Sequence, residues 1–348
     1  MLLTIISFLF VFTIIAVVHE LGHLYFSKRA GIRVHEFGLG FGPTIWQIKK
    51  DNTVYKLNLL PILGYVKIAG IDTDDPAEKE TPESEKYQAK SVGKKFMSIF
   101  AGPMTNLILG FVIFFLVFAI MGIPKGISNE ISTIQPGSEA AEVGLNIGDK
   151  LVAIDGVNYA SPDKAIEKIH QSAGKKLALT IGRGAETLVV AATPKYHPKM
   201  KMGLIGFALK PLYEKINPIK AVYFGAKETV VLSLTIFSIL GRLLVGKIGI
   251  GDLAGPVGIA QITGQYAQGG MLSLMGFIAF FSVNVAILNL LPIPALDGGR
   301  LVFVIIEAIF RKPVPIETEN KIHGIAMYAL LSLMAVLTVH DLMRIFIK

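Results

Sequence analysis

Residues 2–23 read LLTIISFLFVFTIIAVVHELGH. Leu2 to Val18 carries no charge and is long enough to cross a bilayer as a helix. Two imidazoles and a carboxylate then follow within five residues, His19-Glu20-Leu21-Gly22-His23. Ionisable groups at membrane depth are costly and are functional by default. On a helix, positions i and i+4 share a face, so His19 and His23 are placed to grip one metal ion, with Glu20 beside them to act on a metal-activated water. This is the pattern of a zinc hydrolase, which needs a third protein ligand and an open position.

The rest of the composition agrees with a membrane setting. Of 348 residues, 52% are hydrophobic and 17% charged, and the mean hydropathy is +0.56. A multispanning α-helical membrane protein is expected rather than a soluble domain. The formal charge of +8 suits a lipid bilayer with anionic headgroups. No basic stripe interleaved with aromatics is present, so no nucleic-acid partner is expected. With no cysteine there is no disulfide framework and no thiolate chemistry. The N-terminus lacks a basic leader and a small-residue cleavage site and runs directly into the metal motif, so it is expected to stay as a first span.

The organisation expected along the chain is as follows. Residues 1–27 form the first transmembrane helix. Residues 28–95 form a cytoplasmic segment, in which alternation over 32–70 predicts a β-region and the acidic stretch Asp72–Ser91 a mobile loop. Residues 96–122 form a second span, loosened and polarised by Pro103 and Asn106. Residues 123–200 form a small α/β domain, with helices over Glu139–Gly144 and Ser161–Ser172 (Ser161 as cap) and strands over Leu177–Gly182 and Thr187–Ala192. Residues 201–270 form an interfacial linker region, 271–299 a third span, and 300–348 a loop and a fourth span. His35, His170, His197, His323 and His340 are expected at surfaces or interfaces, not as ligands.

The third ligand is sought after the span Met271–Leu291. There the chain reads Asn289-Leu290-Leu291-Pro292-Ile293-Pro294-Ala295-Leu296-Asp297-Gly298-Gly299. The prolines break the helix, and broken helices at membrane depth line sites. An aspartate before Gly-Gly is also a common turn residue. Depth favours a ligand: His19 and His23 lie near the C-terminal end of the first span, and Asp297 lies just past the same end of its own. The two ends meet if both spans run in the same direction. That leaves no room for an additional full crossing between Met121 and Met271, so Thr229–Val245, short and interrupted by Arg242, should lie in the interface or re-enter and should not span. Four spans follow, with both chain ends on the side of the α/β domain. Lys28, Arg29, Lys94 and Lys95 near the spans favour a cytoplasmic location for residues 28–95.

With these residues in place the chain resembles the site-2 proteases, M50-type intramembrane zinc metalloproteases, and among them the bacterial RseP-like subgroup. The matching residues are His19-Glu20-Leu21-Gly22-His23, Leu296-Asp297-Gly298, Gly38-Leu39-Gly40-Phe41-Gly42-Pro43, Gly102-Pro103-Met104-Thr105-Asn106 and Asn289 through Pro294. The stretch PGSEAAEVGLNIGDKLVAIDG resembles a PDZ domain, single here where some members carry two in tandem. The resemblance implies one Zn2+ held by His19, His23 and Asp297, with Glu20 as catalytic base. It implies a membrane-associated β-loop that presents substrate in extended form, with Gly38, Gly40, Gly42, Gly64, Tyr65 and Val66 as contacts. Asn289, Pro292 and Pro294 would touch the substrate backbone. The implied substrates are single-span membrane proteins such as anti-sigma factors or remnant signal peptides, with possible peptide contact at the PDZ-like domain. The implied location is the bacterial inner membrane, with that domain and both termini outside the cytoplasm. Two other classes remain to be weighed: a transporter, which predicts flux and no tightly held metal, and a scaffold, which predicts that Glu20 is dispensable.

Overall fold

The computed structural model describes residues 1–71, 75–198, 200–247, 249 and 254–346. The chain forms two compact units, Met1–Phe118 with Pro218–Lys348, and Ala119–Asn217.

The first unit is built on helices. α1 spans Leu2–Arg29, α2 Val92–Met121, α5 Pro218–Leu244, α6 Pro256–Gln268, α7 Met271–Asn289, α8 Asp297–Phe310 and α9 Ile316–Phe346 (α3 and α4 belong to the second unit). Their apolar runs leave them no better burial than each other or lipid. Val11 and Ile15 of α1 pack with Ile113 and Phe114 of α2, Ile236 of α5, and Phe277 and Val283 of α7. Small residues let the backbones close up. A Cβ on Gly22 would lie 2.5 Å from the Ala101 carbonyl oxygen, and one on Gly110 would lie 2.5 Å from Val283 Cγ2.

Contacts along the helices give their directions. α2 runs against α1, since Thr105 Oγ1 donates to the Val18 carbonyl and Gly22 meets Ala101. α7 runs with α1: the rings of Phe12 and Phe281 lie 5.0 Å apart, and Asp297, just beyond α7, reaches His19. α9 returns, from Ala295 beside His323 to Gly258 beside Asp341. Both ends of the described chain therefore lie at one end of the bundle.

Among the described residues five helices are long and apolar enough to cross a membrane, one more than the four spans expected. The additional one is α5, whose 27 residues begin well before the apolar stretch at Thr229 and carry Arg242 in the last turn. Gly225 of α5 lies against Phe115 near the end of α2, and Gly264 of α6 against Thr4 near the start of α1. Both contacts are at the same end of the α1–α2 pair, so the chain between them makes no net crossing. That parity is what lets α7 run parallel to α1. The last helix is longer than its apolar core suggested, because Asp341 is buried where it accepts from the Gly258 amide at 2.8 Å.

Between α1 and α2, β1 (Val34–Lys50) and β2 (Thr53–Ile68) are bent, and each contributes two segments to a sheet of three ladders. The pairings Lys49 with Val54, Phe37 with Tyr55, and Phe37 with Val66 order the segments as 44–50, 53–58, 34–39, 64–68. Residues 64–68 are therefore an edge. Phe41, Ile45, Trp46, Ile48, Leu59 and Leu60 are exposed on the distal part, an apolar surface suited to lipid. The acidic segment that follows corrects the expectation of a mobile loop. Three short 3-10 turns (76–80, 83–85 and 87–89) are pinned to the sheet by Lys67–Asp75 at 3.0 Å, His35–Glu78 at 3.2 Å and Arg33–Glu85 at 2.7 Å, with Tyr87 buried. His35 is thus a buried partner of Glu78, not a surface residue. Residues 72–74 lie outside the described residues.

The second unit holds an antiparallel sheet in the order β6 (Glu186–Ala192), β5 (Leu177–Arg183), β4 (Lys150–Ile154), β3 (Ile123–Ile134), β9 (Phe207–Glu214), a small ladder of β7 (Lys195–His197) with β8 (Met202–Leu204), and the helices α3 (Glu139–Glu142) and α4 (Pro162–Gln171). Ile131, Leu151, Ile154, Ile169, Leu179 and Ile181 fill its core. Residues 201–217, expected in a linker, belong to this unit, because β9 completes the sheet beside β3. Ser161 occupies the N-cap of α4 with extended backbone, but its side chain makes no capping bond. Asp149 is buried and accepts two hydrogen bonds from Arg183, at 2.8 and 2.9 Å.

Candidate active site

The α1 helix places His19 and His23 on one face, and the broken segment after α7 brings Asp297 to them. Asp297 Oδ2 lies 3.0 Å from His19 Nε2 and 3.4 Å from His23 Nε2, and the two Nε2 atoms are 3.2 Å apart. His23 Nδ1 lies 2.9 Å from the Ser98 carbonyl. A carbonyl accepts only, so Nδ1 carries the hydrogen and Nε2 presents a lone pair. Asp297 Oδ2 is buried and has no hydrogen-bond partner among the described residues.

Lone pairs converging in a buried space repel unless a cation sits among them. Ligands bound at about 2.0–2.1 Å in a tetrahedron are about 3.3 Å apart. The separations of 3.0, 3.2 and 3.4 Å match that set. Two nitrogens and a carboxylate oxygen suit zinc, and the donors present fit such an ion.

The supports come from α2 and from the loop before α8. Gly102 leaves room for the His23 ring: a Cβ there would be 2.2 Å from Nε2. Asn106 is fully buried, with its amide 3.3 Å from His19 Nδ1, and its backbone carbonyl accepts from Ser282 Oγ. Gly298 and Gly299 let the first turn of α8 press onto the preceding loop, where a Cβ on Gly298 would meet the Leu291 carbonyl oxygen at 2.0 Å.

A cavity of about 290 Å³ opens on these groups, lined by His19, Glu20, His23, Val66, Ile68, Ile71, Ile99, Asn289, Ala295, Asp297 and Arg300. Of the residues singled out from sequence, His19, His23, Asp297, Glu20, Asn289 and Val66 reach it. Gly64 lies on the edge strand against Glu20, where a Cβ would be 3.0 Å from Glu20 Cγ. Tyr65 turns away and donates to Glu36. Gly38 is paired inside the sheet, and Gly40, Gly42, Pro292 and Pro294 do not line the cavity. Ser98, Ile71 and Arg300 were not anticipated. A backbone carbonyl that accepts from an imidazole leaves no mark in the sequence, whereas Arg300, three residues after Asp297 on one helix face, was open to detection.

The family model for peptidase family M50 matches residues 7–337. The chain belongs to peptidase family M50. The regulator of sigma-W protease RasP of Bacillus subtilis is 32% identical over 424 aligned positions, covering 99% of each chain. The zinc metalloprotease RasP of Geobacillus kaustophilus is 31% identical over 419 positions, again 99% of both. The PDZ domain of the SdrC-like protein from Listeria innocua is similar at 20% identity over 24% of this chain and 92% of that one, with a TM-score of 0.22. The M50 metalloproteases expected from the motifs are therefore the family found. The chain is a multi-pass membrane protein and a zinc metalloendopeptidase of the site-2 type, with zinc as its metal.

Proposed function

We propose that the chain hydrolyses peptide bonds within the transmembrane segments of single-span proteins, using His19, His23 and Asp297 as zinc ligands and Glu20 as general base. The convergence of the three ligand atoms on a cavity that also holds Glu20 supports this reading above any other observation. When bound there, zinc supplies the Lewis acidity that activates a water and polarises the scissile carbonyl.

The chain's own residues do the rest. Glu20 takes the proton of the attacking water and returns it to the leaving amine. The His23–Ser98 hydrogen bond holds its ligand in the correct tautomer. A substrate helix must unwind before its carbonyl is accessible, and its freed backbone groups need partners in lipid. The edge at Gly64–Ile68 offers them by strand addition beside Glu20. Asn289, which lines the same cavity, would also bond the substrate backbone. The name of the Bacillus subtilis relative ties that protein to sigma-W, so an anti-sigma factor is the substrate type favoured, with peptide contact at the second unit as an addition. A bacterial inner-membrane location with that unit and both termini outside the cytoplasm completes the proposal.

The test is cleavage of a model single-span substrate by the detergent-solubilised protein and by Glu20→Gln, with zinc measured in both. Loss of hydrolysis with metal retained is expected. Normal turnover by Glu20→Gln would remove it as the base, and ion flux without tightly held metal would favour a transporter.

A further inference from the structure

The last helix touches the cavity wall at two points one turn apart. His323 is 8% exposed, and its Nδ1 lies 3.0 Å from the amide nitrogen of Ala295. An amide N–H donates only, so Nδ1 accepts and the ring hydrogen sits on Nε2. Three residues earlier, Asn320 donates from Nδ2 to the Ile71 carbonyl at 3.0 Å. Ala295 and Ile71 both line the cavity.

Ala295 is left-handed, with φ +81°. That region is unusual for a residue with a Cβ and persists where surroundings impose it. The turn is closed internally by the Leu296 amide on the Ile293 carbonyl at 3.1 Å. The bond from outside is the one to His323. Asp297 follows two residues later, so the twist at Ala295 sets the direction from which its carboxylate arrives. His323 Nε2 is buried and meets no hydrogen-bond partner among the described residues. A half-paired imidazole is a costly thing to keep in an apolar helix, and such a group calls for an explanation.

The geometry points to His323 as a positioning residue: it is the acceptor that holds Ala295 in its left-handed turn and so aims Asp297 at the zinc. It touches neither metal nor substrate. The inference rests on the assignment of Asp297 as a ligand made above.

The experiment is zinc retention by the full-length protein in detergent under challenge by a competing chelator, with thermal unfolding followed in parallel. The variants are His323→Asn, His323→Gln, His323→Leu and Ala295→Gly/His323→Leu. The Asn oxygen occupies the place of Nδ1, whereas the Gln amide reaches to the place of Nε2. Support for the orienting role of such partners on metal affinity sets the scale: His323→Gln and His323→Leu should lose zinc roughly 10–100-fold more readily, and His323→Asn should stay within about threefold of wild type. Ala295→Gly should recover part of the loss in the Leu background, because glycine adopts the turn without help.

Folded His323→Gln holding zinc as wild type does, or His323→Asn losing it as His323→Leu does, overturns the inference. If His323→Leu fails to fold, the Asn–Gln comparison decides by itself. A wild-type protein that holds no zinc overturns the ligand assignment and this inference together, whereas zinc-retaining wild type with an indifferent His323 overturns this one alone.

Discussion

The imidazole of His23 donates to the backbone carbonyl of Ser98, 75 residues further along the chain, at 2.9 Å. The bond crosses from α1 to α2 and is completed one turn later by Gly102, whose missing side chain is where the ring lies. The proposed ligand His23 is thus oriented by a helix that contributes no residue to the candidate metal cluster.

Gly102→Ala tests that arrangement. Its Cβ would stand 2.2 Å from His23 Nε2, and the rigid helix cannot move aside cheaply. Zinc affinity, read by chelator competition, should fall at least about tenfold. Gly93 has open space around it, so Gly93→Ala should leave zinc unchanged. Equal retention in the two variants would contradict the seating of His23 on α2.

The Lys95–Glu307 pair ties α2 to α8, the helix that begins at Asp297. Its separation is 2.8 Å, and Lys95 is 2% exposed. Lys95→Met leaves a carboxylate without its partner and should cost about 3–5 kcal/mol, while Lys95→Met/Glu307→Leu should recover most of that. Denaturant unfolding in micelles measures both. A single variant as stable as wild type would show the pair to be dispensable.

At the proposed substrate edge, Gly64→Val places methyl groups against Glu20. The expected result is a fall in kcat of about tenfold or more, with zinc retained, because the base is displaced and the ligands are not. Steady-state kinetics beside metal analysis separates the two. A change confined to KM would mean that the strand edge binds substrate without bearing on Glu20.

Acid should weaken the second unit through Asp149. The Arg183 hydrogen bonds, with the Asn146 amide, hold its carboxyl below the usual carboxylate range. A carboxylate whose folded pKa is depressed stabilises above its unfolded pKa and loses that contribution as pH falls through the folded one. Hydrogen-exchange protection over residues 119–217 in the full chain, corrected for the intrinsic pH dependence of amide exchange, should therefore be level near neutrality and fall below about pH 4. Asp149→Asn should be less protected at neutral pH and show a weaker acid dependence of that protection; an unchanged acid response would assign it to other groups.

The proposed metal centre was legible because its parts obey local rules. His19 and His23 are one helical turn apart, and the prolines before Asp297 cannot continue a helix. Parallel α1 and α7 followed from depth alone. The β-region was legible as strands but not as four segments joined by three ladders, because the two long strands bend and each contributes two segments. The acidic segment looked free because its composition is that of a mobile loop, yet its charges find Arg33, His35 and Lys67 on the sheet. His323 looked interfacial because its acceptor role is toward a backbone amide distant in sequence.

What the sequence determined by itself is the inventory and its periodicity: apolar runs that must cross lipid, a helix face with two imidazoles, and a break that carries an aspartate. What only the tertiary structure decided is which carbonyls and amides orient those groups, through Ser98, Gly102, Ala295 and Ile71. The reason is physical. Side-chain chemistry and local period are written residue by residue, but a backbone hydrogen-bond partner is identical at every position until packing selects one.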